Sequence, residues 1–190
     1  MVVDSSELKP AAPRIEESPL PEIVEFLDEH GRVLFGLLYR VTLREDVAED
    51  LMQDLFLKLD ATEKFLTARC PLAYARRVAL HLAFDWRRKH SQASTPQIAD
   101  QQAVDHRSSP LDGLIAAEQL QAVLNAMTGL SDRNCELLTL HYIEQQSYEA
   151  IAREYGKTPH QIRALCHKAL AQLRALLSET GQEAKRGGSP

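Results

Sequence analysis

Long apolar runs are missing from this chain: none approaches the roughly 20 residues that span a bilayer, and the first residues lack the basic and apolar blocks of a secretion signal. A cytoplasmic protein with no membrane insertion is expected. Cysteine is scarce. Cys70, Cys135 and Cys166 are widely spaced, odd in number and without a CxxC pair, so neither a disulfide framework nor a zinc site is expected, and the three thiols read as reduced and buried. No glycine-rich phosphate loop, nucleophile–base pair or metal cluster occurs, and the seven histidines are dispersed. These absences argue against an enzyme and imply no cofactor. Alternating β-type patterning, internal repeats and low-complexity tracts are absent as well, which leaves helical periodicity as the organising signal.

Excess positive charge is also lacking, with a net charge of -5, but the acidity is unevenly placed. Residues 1–31 carry 2 basic and 8 acidic side chains, whereas residues 32–90 carry 11 and 8. Residues 91–112 carry 1 and 3, and the remainder is balanced at 8 and 8. A chain without a strongly basic field grips bare DNA poorly, so any role on DNA requires a partner.

Residues 1–21 hold Pro10, Pro13, Pro19 and Pro21 among scattered acids and few large apolar groups, the composition of a disordered tail. From Glu22, Ile23, Phe26, Leu27, Leu34, Leu37, Leu38 and Val41 recur at helical spacing, with Gly31 and Gly36 as places for a break. A second helix over about 45–59 aligns Ala48, Leu51, Met52, Leu55 and Leu59. A third, after Pro71, carries Leu72, Ala75, Val78, Ala79, Leu82, Ala83 and Trp86 and ends in Arg87-Arg88-Lys89-His90. Residues 22–90 thus form one helical domain. Residues 91–112 turn polar and small, with Pro96 and Pro110, and read as a linker. Helical periodicity resumes over 113–178 as a four-helix domain, followed by a flexible tail, 179–190. The expected class is all-α, with two small helical domains on a tether.

The most specific local signal is Ser147 to Leu177. Ser147 can cap a helix carrying Ala150, Ile151 and Tyr155 on one face; Gly156 supplies the left-handed residue that ends it; and Thr158-Pro159-His160-Gln161 restarts the chain as a capping box with proline at the first helical position. Beyond the turn, Ile162, Leu165, Ala169, Leu173 and Leu176 form an apolar stripe opposite His160, Gln161, Arg163, His167 and Lys168. This is a helix-turn-helix whose second helix offers donors to phosphates and base edges.

Three segments in order now carry a resemblance. Ala48-Glu49-Asp50-Leu51-Met52-Gln53-Asp54-Leu55-Phe56, then Ala79-Leu80-His81-Leu82-Ala83-Phe84-Asp85-Trp86-Arg87-Arg88, then Leu130-Ser131 with Ser147-Tyr148-Glu149-Ala150-Ile151-Ala152, are similar to motifs of the extracytoplasmic-function (ECF) group of the sigma-70 family of bacterial RNA polymerase sigma factors. The resemblance covers about residues 22–90, like sigma region 2, and 113–178, like sigma region 4. It implies a non-catalytic promoter-specificity subunit whose partners are core RNA polymerase, through the β′ clamp helices and the β subunit, promoter DNA, and an anti-sigma factor as a regulator.

Carried over by position, the resemblance puts Asp50, Gln53 and Asp54 against the β′ clamp helices. It assigns the minus-10 element to Arg76, Arg77, His81, Arg87, Arg88 and Lys89, with loop residues Lys64, Phe65, Leu66, Thr67, Ala68 and Arg69 around an unstacked base. Thr158, His160, Gln161, Arg163, His167 and Lys168 fall to the minus-35 element, with Arg163 and Lys168 as the leading phosphate or guanine partners. No metal site is implied. Two positions depart from the family pattern: His81 stands where Asn is common, and Ala150 where Glu is usual.

Promoter elements roughly one and a half duplex turns apart are separated by about 50 Å. A linker of 22 residues reaches about 73 Å extended but averages about 26 Å as a free coil. It spans the elements only when held out, and the resemblance places it near the RNA exit path of the polymerase. Two other functions fit the bare pattern. A stand-alone helix-turn-helix regulator requires tight operator binding by the chain alone, and a helical protein-binding adaptor requires no DNA contact at all.

Overall fold

The computed structural model describes residues 20–90 and 110–186. The expected tail before Leu20, residues 91–109 of the expected linker and the last four residues lie outside the described residues. Eight α-helices are present among those described: α1 (Leu20–Thr42), α2 (Glu45–Asp60), α3 (Glu63–Leu66), α4 (Pro71–His90), α5 (Pro110–Met127), α6 (Asp132–Leu138), α7 (Tyr148–Tyr155) and α8 (Pro159–Arg186). None of them is long and apolar enough to cross a membrane.

Several bounds differ from the sequence reading for identifiable reasons. α1 runs unbroken through Gly31 and Gly36. Its buried face of Ile23, Leu34, Leu37, Leu38 and Val41 outweighs the roughly 1 kcal/mol per glycine that helix propensity costs. Pro110, expected in the linker, instead opens α5, where a missing N–H at the first helical position costs nothing. α8 extends to Arg186, past the expected end at residue 178, through strong helix formers such as Gln182, Glu183, Ala184 and Lys185. Between α6 and α7 the chain widens into a π-helical turn, Thr139–Ile143. Within that turn Tyr142 is exposed.

α1, α2 and α4 pack around Leu37, Leu38, Leu55, Leu59, Ala79, Leu80 and Phe84, all nearly inaccessible. This apolar cluster does not stop at α4. It continues into Leu124, Met127, Leu130, Cys135, Leu138, Ala169 and Leu173, so the two helical halves share one core. The helix-turn-helix keeps a smaller core of its own: Leu137, Leu140, Ile151, Ala152, Ile162 and Cys166. Two of the three cysteines are buried as expected; Cys70, just before α4, is exposed.

Candidate polymerase and promoter surfaces

The α2 helix positions its polar face by burying the other. Val47, Ala48, Leu51, Leu55 and Leu59 lie inside, which turns Asp50, Gln53 and Asp54 to solvent together at the i, i+3, i+4 spacing that makes helical neighbours. Leu57, next to this face, is 61% exposed. An acidic and polar helix face with a bare leucine beside it suits a protein partner.

The α3–α4 region is where expectation and geometry part most. Lys64 and Arg69 are exposed, but Phe65 is not. Its ring is 3% exposed and meets Phe26 edge-on at 4.9 Å between centroids, so it anchors the short helix α3 to the core rather than stacking on a base. An open groove of about 280 Å³ does lie between α2 and α4, lined by Lys58, Thr62, Tyr74, His81 and Asp85 among others. His81 therefore stands in a cleft with a cation, an aromatic ring and a carboxylate around it. That set can accommodate a planar, hydrogen-bonding ligand.

The arginines of α4, expected on DNA phosphates, are engaged elsewhere in this structure. Arg87 is 2% exposed. Its Nε donates to the Val41 carbonyl at 2.6 Å, and its terminal nitrogens donate to Asn125 Oδ1 at 2.5 Å and Gln121 Oε1 at 3.1 Å. Burial lowers its pKa to about 10, which leaves it cationic at neutral pH. Arg77 pairs with the buried carboxylate of Glu136 at 2.9 Å and lies over the Tyr155 ring. Burial alone would depress the Arg77 pKa, but Glu136 and Tyr155 outweigh it and the net shift is upward. Arg88 bridges Asp85 at 2.7 Å and Asp132 at 2.5 Å, and Arg76 reaches Glu154 at 3.4 Å. Of the expected α4 cations, Lys89 is exposed, and Arg77 and Arg88 keep part of their side chains in solvent. Nothing in the chain's motifs signalled Gln121, Asn125, Asp132, Glu136 or Glu154; they become visible only once α4 is packed on α5, α6 and α7.

The helix-turn-helix follows its sequence signals closely. Ser147 Oγ accepts from the Ala150 N–H at 3.1 Å, and Gly156 closes α7 at φ +59°. Thr158 Oγ1 accepts from the Gln161 N–H at 3.3 Å while Gln161 Oε1 accepts from the Thr158 N–H at 3.0 Å, the reciprocal capping box. This has a cost for the expected reading: Thr158 and the amide oxygen of Gln161 are occupied by the cap. His160, Arg163, His167 and Lys168 remain exposed along α8. The Arg163 guanidinium sits 5.2 Å from the centre of the Tyr148 ring, and His141 stacks on that same ring at 4.2 Å. A column of His141, Tyr148 and Arg163 thereby holds one cation at the start of the candidate reading helix.

Known proteins and protein families match this chain in two regions. The family description "Sigma-70 region 2" matches residues 26–93, and "Sigma-70, region 4" matches residues 126–175. The chain is 27% identical over 175 residues to the probable RNA polymerase sigma factor RfaY of Xanthomonas campestris, covering 85% of this chain but only 43% of that protein's length. It is 28% identical over 156 residues to the ECF RNA polymerase sigma factor SigL of Mycobacterium tuberculosis, covering 81% of this chain and 88% of SigL. A solved structure, the sigma factor RpoE in complex with the anti-sigma factor NepR from Bartonella quintana, aligns with a TM-score of 0.45 and 20% identity over 83% of this chain and 97% of that one. With both conserved regions of the family matched in their order and together spanning more than half of its residues, the chain belongs to the ECF group of the sigma-70 family of RNA polymerase sigma factors.

Proposed function

We propose that the chain binds core RNA polymerase and directs initiation at promoters with paired minus-10 and minus-35 elements, residues 22–90 serving the first element and 113–178 the second. The observation that carries this is the exposed face of α2 together with the exposed basic face of α8 in one chain that matches both sigma regions. A stand-alone regulator has no use for the α2 face, and an adaptor has none for α8.

In this reading Asp50, Gln53 and Asp54 meet the β′ clamp helices. The His81 groove takes an unstacked base of the minus-10 strand, with Lys64, Arg69 and Lys89 on nearby phosphates. Arg163, Lys168, His160 and His167 address the minus-35 major groove. Gel-shift and permanganate probing of promoter DNA, with and without core polymerase, tests it. Binding should rise steeply and the minus-10 region become permanganate-reactive only when core is present. Tight sequence-specific binding by the chain alone, without strand opening on adding core, would sink the proposal.

A further inference from the structure

The π-helical turn Thr139–Ile143 lies outside the helix-turn-helix, yet a chain of contacts leads from it to α8. The chain begins in the backbone. The Glu144 N–H donates to the Thr139 carbonyl and the Gln146 N–H to the Leu140 carbonyl, each at 2.9 Å, and between them Gln145 takes a left-handed φ of +55°. A residue other than glycine stays in that region only when its surroundings hold it, and here the Gln145 side-chain amide donates to the Tyr142 carbonyl at 2.9 Å. The loop so closed puts the Gln146 carbonyl 2.9 Å from His141 Nδ1. A carbonyl only accepts, so Nδ1 carries a proton and the imidazole plane is set. That ring stacks on Tyr148, with centroids 4.2 Å apart and planes 23° from parallel, and Tyr142 meets it edge-on at 4.7 Å. Tyr148 in turn carries the Arg163 guanidinium 5.2 Å from its ring centre. Among the described residues Arg163 makes no ion pair, which leaves the aromatic ring as its restraint.

We infer that His141 is a positioning residue for base selection: its ring, set by the π-helical turn, fixes Tyr148, and Tyr148 aims Arg163 at one base of the minus-35 element. The inference rests on the reading of α8 as the minus-35 helix. A long, flexible arginine left free samples the phosphates on either side of a base as readily as the base edge. Held over a ring it presents its fork in one direction, and its ordering is complete before DNA arrives. His141 acts through Tyr148 and has no need to touch DNA. Its loss therefore relaxes discrimination at the base Arg163 reads and leaves intact the phosphate contacts that act on any sequence.

The test uses the full chain with core polymerase, in gel shifts on a promoter duplex series carrying every base in turn at each minus-35 position, beside a mixed-sequence duplex. Arg163→Ala identifies the position that this side chain reads. There His141→Asn, which keeps a donor for the Gln146 carbonyl but has no ring, should lower the preference for the favoured base about two- to five-fold, with mixed-sequence binding unchanged. His141→Phe, which keeps a ring and lacks the donor, should retain the preference within a factor of about two. Equal preferences in the wild type, His141→Asn and His141→Phe would overturn the inference, as would a loss in His141→Asn that falls equally on every base and on the mixed sequence. Should circular dichroism show His141→Asn unfolded, His141→Leu takes its place with the same expected loss and the same overturning results. A preference removed by Arg163→Ala and untouched by the His141 substitutions ends the positioning role alone. A wild type that discriminates while Arg163→Ala changes nothing overturns it as well, and a wild type with no preference at any minus-35 position takes the minus-35 reading of α8 down with it.

Discussion

Arg87 illustrates how one side chain can be misassigned from sequence. At the basic end of α4 it looks like a phosphate contact, yet it donates to a main-chain carbonyl and two side-chain amides inside the protein. Arg87→Met should lower the unfolding free energy measured in urea by about 1–3 kcal/mol, because three acceptors lose their donor in a buried place. An arginine serving only DNA would leave the urea midpoint unchanged. Arg163 presents the contrasting case, exposed and held over Tyr148. With core polymerase, Arg163→Ala should cost about 1–3 kcal/mol at a specific minus-35 base. Tyr148→Leu should cost less, about 0.5–1 kcal/mol, by loosening the guanidinium without removing it. Gel shifts on a minus-35 variant series would expose the wrong ordering. What separates the two arginines is tertiary packing, which periodicity does not encode: both lie on amphipathic helices, and Arg87 is hidden between the end of α1 and the polar side chains of α5.

Among the elements, the helix-turn-helix was the most legible because its signals are local. Ser147, Gly156, Thr158 and Gln161 act within a few residues of themselves, and each makes the contact that its position implies. Gly156→Ala meets no atom within 4 Å, so its cost should come from backbone alone, about 1–2 kcal/mol at φ +59°. Thr158→Ala should remove about 1 kcal/mol through the cap. Thermal melts check both. The α2 face was legible for a different reason: burial of its apolar stripe dictates the outward set. Gln53→Ala with Asp54→Arg should weaken binding to core polymerase while circular dichroism stays unchanged, and retention of full binding would move the polymerase contact elsewhere. Less legible were the short helix α3 and the π-helical turn. α3 exists because Phe65 finds Phe26 from α1, a partner some forty residues earlier. The π-helical turn follows from how α6 must hand the chain to α7, a constraint with no signature in hydrophobic spacing.

At the scale of the whole molecule, ion pairs between α4 and the second half lie beside the shared core, so stability should depend on pH and salt. Burial pushes the Glu154 carboxyl above its ordinary range, and Glu136 adds to this, against the pull of Arg76, Arg77 and Arg153. An acid whose pKa is raised in the folded chain holds its proton more tightly there than in the unfolded one. Its contribution therefore favours the folded state below the ordinary glutamate value of about 4.3 and is lost as pH rises through the raised one. The difference in urea stability between wild type and Glu154→Gln should change across that window and be constant outside it; a constant difference throughout would show that Glu154 does not titrate with folding. The carboxylates facing Arg77 and Arg88 also bear on ion release. Binding to phosphates expels the counterions condensed on DNA and so weakens as salt is added, by a slope of about 0.9 per phosphate in the logarithmic plot. Salt also screens Asp132, which is half exposed, and helps free its arginine. The two effects oppose each other, so the free wild type should depend on ionic strength less steeply than a chain lacking Asp132 and Glu136. The salt dependence of such a chain is thus set by its internal ion pairs as well as by its count of exposed cations.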